Sequence, residues 1–145
     1  MNAKSAAQSS WDRHVTALTA KVVTGAAILP VELGPEILRA SKNAIFAQRG
    51  VSMRPAEANA LVEAIMDGKV HRDYVMVGGL QYVLTTVSES AYYGMATSTS
   101  AGGGIVLVKT RKVLVLAVYA EPVTAAQAIP YVHQFADRLE AAISE

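Results

Sequence analysis

Apolar side chains recur at helical spacing in three stretches of the chain. Near the start, Ser10 can cap a helix that begins at Trp11, and Asp12 suits the positive end of the helix dipole. The second stretch begins at Pro55, a residue that suits the first helical position, and Gly68 supplies its stop. These patterns predict an N-terminal helix and a middle helix.

The third helical stretch lies at the end of the chain. Thr124 and Gln127 have the spacing of a capping box, and apolar residues follow on one face. Pro130 complicates this prediction because a proline is comfortable only in the first turn of a helix. Two alternatives are open: the helix starts nearer Ala128, or it is kinked.

The remaining apolar segments have the length and composition of strands. We predict strands over residues 22–29, 44–48, 74–77, 80–86, 91–97, 105–109 and 113–119. The connections in the second half are short, which implies antiparallel neighbours. The order of elements predicts an α+β fold in which helices cover the apolar faces of a sheet, and the terminal helices can share one face.

Composition limits the classes of function. The 145 residues are 52% apolar and 17% charged, which predicts one ordered domain over residues 1–145, with residues 1–9 as a flexible leader. The formal net charge of +1 argues against a nucleic-acid partner. The leader lacks the apolar core of a secretory signal, and the longest apolar run, residues 113–120, is too short to span a membrane. We therefore expect a cytoplasmic protein.

No catalytic or metal-binding motif is apparent. The chain has no cysteine, and its three histidines are isolated from one another. There is no Gly-x-Ser-x-Gly elbow, so a small hydrolase or transferase remains only as a rival hypothesis. The glycine run at residues 102–104 lacks a following Lys and Ser or Thr and precedes a strand, which favours a hairpin turn over a phosphate loop. We predict a binding module that is not an enzyme and needs no metal or cofactor.

Two further groups have alternative interpretations. Trp11, the only tryptophan, and Phe46 are either core side chains or exposed aromatic contacts. Lys109, Arg111 and Lys112 form a small basic group at a turn, which is either a solvated tip or a contact for a lipid or an acidic partner.

Several motifs, in their order and spacing, resemble the profilin family over most of the chain, excluding the leader and the excursion between the first two strands. They are Ser10-Trp11, Ala44-Ile45-Phe46-Ala47-Gln48, Val77-Gly78-Gly79-Leu80-Gln81-Tyr82, Gly103-Gly104-Ile105, Lys109-Thr110 and Tyr119-x-Glu121-Pro122-Val123-Thr124. The resemblance implies a profilin-like fold, with the N- and C-terminal helices on one face of a central antiparallel sheet and the middle helix on the other.

The resemblance also implies a function. Profilins bind monomeric actin, regulate its polymerisation and nucleotide exchange, and dock proline-rich proteins such as formins. The proline-binding groove between the terminal helices would use Trp11, His14, Phe46, Arg138 and Leu139. His14 stands where a tyrosine is usual, and Arg138 where a histidine or tyrosine is usual.

The family's actin face would comprise Gln81, Val83, Ser98, Ser100, Lys109, Val123, Thr124, Ile129 and Gln134. Gln81, Ser98 and Ser100 are neutral at positions that are basic in animal profilins, which would reduce electrostatic steering of the encounter. Phosphoinositide binding through Lys109, Arg111 and Lys112 is left open.

Two alternatives remain at the level of the whole protein. The excursion at residues 29–42 is either a passive insertion or an added contact with actin. The resemblance favours a cytoplasmic, cytoskeletal monomer, whereas a scaffold subunit similar to roadblock or longin domains would form a stable homodimer with Trp11 buried.

Overall fold

The computed structural model describes residues 12–30, 45, 47–66, 74–78, 80–88, 90–97, 103–110, 113–120 and 122–143. Residues 1–9 and residues 31–42 of the excursion lie outside this part. The elements, in chain order, are α1 (residues 12–18), β1 (Gly25–Pro30), β2 (Ala47–Arg49), α2 (Pro55–Met66), β3 (Tyr74–Val77), β4 (Leu80–Val87), β5 (Ala91–Ala96), β6 (Gly104–Lys109), β7 (Val113–Tyr119) and α3 (Ala125–Ile143).

The strands form one seven-stranded sheet in the order β2-β1-β7-β6-β5-β4-β3. Every neighbouring pair is antiparallel, and for β3 to β7 the short connections predicted this. From β3 to β7 each strand pairs with the next along the chain, and β1 then pairs with β7. All seven residues of β7 are buried because it lies in the middle of the sheet with helices on both faces.

The two faces of the sheet carry separate cores. On one face, α2 packs Leu61, Val62 and Ile65 over residues that include Leu107 and Leu116. On the other face, α1 and α3 lie together over a second cluster of buried residues, which comprises Val15, Leu18, Val106, Val115, Val132, Ala136 and Leu139 among others. This arrangement confirms the predicted α+β fold, with the terminal helices on one face and the middle helix on the other.

Two residues of the glycine run, Gly103 and Gly104, lie at the start of β6. Gly103 has a φ of 105°, in the region that favours glycine, and a Cβ on Gly104 would overlap the carbonyl oxygen of Gly94 on β5. These two glycines therefore permit a close approach of neighbouring backbones, and the antiparallel pairing of β5 with β6 agrees with the hairpin interpretation.

The last helix begins before Ala128, the residue near which one of the two alternatives placed its start. It starts at Ala125, so a start nearer Ala128 is wrong. The N–H of Thr124 donates to the Gln127 side-chain oxygen at 3.0 Å, which is one half of the expected capping box. Pro130 lies inside the helix at an exposed position, where water can bond the carbonyl of Ala126 that lacks its usual N–H partner.

The first two strands begin later than predicted. β1 begins at Gly25 and not at residue 22, because Val22 and Val23 pack with the terminal helices after α1 ends. β2 covers only Ala47–Arg49, where three residues pair with β1. Apolar residues next to a strand can therefore be buried by a helix without joining the sheet.

Candidate binding surfaces

A groove of about 360 Å³ runs between α1 and α3, and we call it the helix groove. Its lining residues are His14, Ala17, Ala20, Lys21, Tyr131, Phe135, Arg138 and Leu139. The structure therefore brings together three of the five residues predicted for proline binding, His14, Arg138 and Leu139. The other two, Trp11 and Phe46, lie outside the described residues.

The two helices are positioned by their buried faces and by one hydrogen bond. Val15 and Leu18 hold α1 on the sheet, and Val132 and Leu139 hold α3 beside it. The Tyr131 hydroxyl of α3 donates to the Leu18 carbonyl at 2.9 Å. The last carbonyls of a helix have no partner within the helix, so this bond both satisfies the end of α1 and fixes its distance from α3.

Sequence reasoning did not assign Lys21, Tyr131 or Phe135 to the groove. Tyr131 and Phe135 are four residues apart and therefore lie on one flank of α3, beside the buried stripe that contains Val132 and Ala136. Both aromatic side chains are half-buried. Two aromatic residues four positions apart could have indicated the wall of a groove. The sequence does not show, however, which neighbouring element this flank of α3 faces.

The charged side chains that line the groove are cationic. Lys21 and Arg138 contribute to the lining, and no described lining residue is acidic. The pKa of His14 is lowered from 6.5, first by burial, which disfavours the charged ring, and second by the positive charge of Arg13. His14 is therefore mainly a neutral, flat ring at pH 7.

A second surface lies on the same face of the sheet, beyond the area that α1 and α3 cover, and we call it the open sheet face. It consists of Met76, Gln81, Val83 and Met95. Met76 pairs with Gln81 and Val83 pairs with Met95, so the four side chains point to one side of the sheet. Met95 is 59% exposed, Met76 39% and Val83 37%, which leaves an unusually apolar sheet surface open to solvent.

A contact between α3 and β5 lies next to the open sheet face. The Tyr93 hydroxyl and the His133 Nε2 are 2.6 Å apart, and their rings meet edge to face with centroids separated by 5.9 Å. Burial raises the pKa of Tyr93, so the phenol keeps its proton and can take part in this bond. Ile129, one turn before His133, is half-buried against the same cluster.

The residues predicted for actin binding are divided between two faces. Gln81 and Val83 lie on the open sheet face. Val123 and Thr124 directly precede α3, and Ile129 and Gln134 lie on its first half. Lys109 pairs with Leu114, whose side chain belongs to the core beneath α2, so Lys109 is placed on the opposite face. Ser98, Ser100, Arg111 and Lys112 lie outside the described residues.

Two other features are absent from the part of the chain that the structure describes. Within the described ranges, no three His, Asp or Glu side chains come close enough together to hold a metal ion. No described helix is long and apolar enough to cross a bilayer.

Comparison with known proteins identifies related folds. The family model described as Profilin matches residues 9–143. Acanthamoeba castellanii profilin IB is 26% identical to this chain with a TM-score of 0.73, over 91% of this chain and 98% of that one. No curated protein sequence matches the chain significantly.

Two similar structures contain a bound partner. Mouse profilin IIa, in complex with a double repeat from the FH1 domain of mDia1, is 14% identical with a TM-score of 0.65, over 91% of this chain and 97% of that one. LokiProfilin1, in complex with rabbit actin, is also 14% identical with a TM-score of 0.65, over 92% of this chain and 96% of that one. At these identities the two structures show a shared fold.

Proposed function

The chain belongs to the profilin family, and from that premise we propose that it binds monomeric actin and proline-rich segments. Actin would contact the open sheet face together with the start of α3, and proline-rich segments would occupy the helix groove. The protein would act as a cytoplasmic, cytoskeletal regulator of actin polymerisation and would catalyse no covalent reaction.

The exposed apolar side chains of the open sheet face carry the actin proposal. Met76, Val83 and Met95 leave apolar area in contact with water, and covering such area contributes about 25 cal/mol per Å² to association. Gln81 is neutral at a position that is basic in animal profilins. Apolar contact would therefore replace part of the charge attraction between the protein and actin. A profilin of the same fold is known in complex with actin, which supports this choice of partner.

Regulation would follow from linkage. A protein that binds one conformation of the actin monomer more tightly than another shifts nucleotide exchange or polymerisation by that difference in binding free energy. This mechanism needs a surface and no catalytic group.

The helix groove supports binding of a polyproline II helix. Such a helix is already extended and presents flat pyrrolidine rings, so aromatic side chains bind it with little ordering cost. Tyr131, Phe135 and the neutral ring of His14 line the groove, and Trp11 and Phe46 are the aromatic residues that the family resemblance adds. Mouse profilin IIa in complex with an FH1 repeat supports this class of ligand.

Monomeric state and phosphoinositide binding remain predictions. A monomer keeps both proposed surfaces accessible, whereas the scaffold alternative predicts a homodimer, and analytical ultracentrifugation distinguishes the two. Phosphoinositide binding would require Lys109, which lies on the α2 face, to act with Arg111 and Lys112.

A matched pair of variants tests the actin proposal. Val83 and Val87 lie on one strand and are 37% and 38% exposed, but a bulge between Leu84 and Thr86 turns them to opposite faces. Val87 pairs with Tyr92, which belongs to the α2 core. Val83→Glu and Val87→Glu therefore make the same chemical change on different surfaces.

We expect Val83→Glu to weaken binding to monomeric actin by about 2 kcal/mol, or roughly 30-fold, because an unpaired carboxylate would be buried in the complex. Val87→Glu should bind like the unmodified protein. The measurement is the initial rate of actin assembly as each variant is titrated, after circular dichroism has confirmed folding. No effect of the unmodified protein at large excess, or equal effects of the two variants, would contradict the proposal.

A further inference from the structure

We propose that Met76 and Met95 are sites of reversible oxidation on the open sheet face, and that their conversion to methionine sulfoxide weakens binding to actin. This inference rests on the proposed actin binding and adds a chemical control of the same surface. It is carried by the exposure of the two thioethers, their place on one face of the sheet and the absence of cysteine from the chain.

Methionine is the only sulfur-containing residue type in this chain. The sequence has five methionines and no cysteine, so no thiol competes for an oxidant. Met53 is 4% exposed and belongs to the α2 core, whereas Met76 and Met95 are 39% and 59% exposed. A dissolved peroxide therefore reaches the two thioethers of the open sheet face before that of Met53.

The strand pairing places both thioethers on the same surface. Met95 lies opposite Val83 on one side and opposite Gly104, which has no side chain, on the other. Met76 lies on β3, the last strand of the sheet, and pairs with Gln81 of β4. The two methionines are thus on the strands that flank β4, and an oxygen added to either one changes the open sheet face.

The reaction with hydrogen peroxide needs no further group from the protein. A lone pair of the thioether sulfur attacks one peroxide oxygen, the O–O bond breaks, and the sulfur keeps that oxygen. The proton of the transferred oxygen joins the leaving hydroxide to form water, so the thioether loses two electrons and the peroxide gains them. Methionine sulfoxide reductases remove the oxygen again with electrons from thiols, which makes the change reversible.

A sulfoxide is unsuited to the apolar contact proposed for this face. The S–O group is polar and accepts hydrogen bonds, and an apolar partner surface that covers it removes its hydrogen bonds with water. Burial of one unpaired polar group corresponds to roughly a 10-fold loss of affinity, so oxidation of both residues should weaken actin binding by roughly 10- to 100-fold.

The test compares each protein before and after treatment with dilute hydrogen peroxide. Catalase removes the peroxide before actin is added, so that actin itself is not oxidised. Peptide mass spectrometry locates the added oxygens, circular dichroism checks the fold, and titration with monomeric actin gives the ratio of the dissociation constants after and before treatment. We expect oxygen at Met76 and Met95 before Met53, a ratio of roughly 10 to 100, and recovery to near one after treatment with methionine sulfoxide reductases A and B.

Two sulfur-removing variants connect the change to the open sheet face. The ratio for the double variant Met76→Leu/Met95→Leu should be near one, whatever its affinity before treatment, because leucine is an apolar side chain without sulfur. Met53→Leu is the matched control and should keep the ratio of the unmodified protein.

The outcomes separate this proposal from the proposed actin binding. Failure of the untreated protein to bind actin refutes both. Untreated binding with a ratio near one, after both residues have been oxidised, overturns the oxidative control alone. Oxidation of Met53 ahead of the exposed pair, a loss of binding that accompanies unfolding, or an unchanged ratio in the double variant also overturns it.

Discussion

His14 is a residue whose environment makes protein stability depend on pH. It lies half-buried in the helix groove, and burial together with the charge of Arg13 lowers its pKa from 6.5. The unfolded chain therefore binds a proton at His14 more readily than the folded protein does. Between the folded pKa and about 6.5, the free energy of unfolding must decrease as the pH falls, and below the folded pKa this contribution becomes constant.

We expect His14→Gln to lose this part of the pH dependence. Urea unfolding at pH 7.5 and at lower pH, down to about 5, should show a smaller decrease in unfolding free energy for the variant than for the unmodified protein. Other groups titrate in both proteins, so the difference between the two curves isolates His14. Identical pH dependence would show that His14 is solvated in the folded state.

Single residues of the helix groove were partly predictable from sequence. His14, Arg138 and Leu139 were found because they follow motifs with fixed spacing in the family. Lys21 and Tyr131 belong to no such motif, and their contribution depends on the hydrogen bond that holds α1 against α3. A side chain on the flank of a helix faces either solvent or a neighbouring helix, and only packing decides between them.

At the scale of elements, the start of α3 depends on its cap. The Thr124 N–H donates to the Gln127 side chain, and the Gln127 and Ala128 N–H groups donate to the Thr124 carbonyl at 3.1 and 3.0 Å. These bonds let the helix begin at Ala125, five residues before Pro130, although the proline removes one bond of the next turn.

Gln127→Ala should therefore destabilise the protein by about 0.5–1 kcal/mol because the Thr124 N–H loses its side-chain acceptor. Gln134→Ala is the matched control, since it makes the same substitution at an exposed position of the same helix. The corresponding fall in melting temperature is about 1–4 °C, measured by circular dichroism. Equal stability of the two variants would contradict a capping role for Gln127.

Two strands, β3 and β7, have the predicted bounds. The apolar run of residues 113–119 became β7 at the predicted bounds because every one of its side chains is buried between two layers of helices. The start of β1 was wrong because Val22 and Val23 look like strand residues but are buried by the terminal helices. A hydrophobic segment indicates that its side chains are buried, but it does not indicate which neighbouring element buries them.

At the scale of the whole molecule, the strand order decides which residues share a surface. The strand segments were visible in the sequence, but the face of the sheet to which each side chain points was not. A bulge in β4 places Val83 and Val87 on opposite sides, and the register of β6 with β7 directs Lys109 to the α2 face. The residues predicted for actin binding therefore lie on two faces, because strand register and the β4 bulge determine the side to which each residue points.

The assembled fold also separates the two proposed binding surfaces. α3 lies between them: Tyr131 and Phe135 on one flank line the helix groove, and His133 on the other flank contacts Tyr93 of β5. A ligand in the groove and a partner on the open sheet face would therefore contact different sides of one helix. This helix is held by the buried stripe between its two flanks, which includes Val132 and Ala136.

We expect the two binding reactions to be independent. Coupling between sites requires an element with two arrangements that both ligands bias, and α3 is anchored on the sheet by buried side chains such as Val132 and Leu139, which favours one arrangement. Actin affinity should thus change by less than about 2-fold, or 0.4 kcal/mol, when a proline-rich peptide saturates the groove. The measurement is a fluorescence titration of actin with and without the peptide, and the Val87→Glu variant provides a control with an unaltered open sheet face. Since linkage is reciprocal, an actin-induced change in peptide affinity well above this limit would reveal movement of α3 and would refute independence.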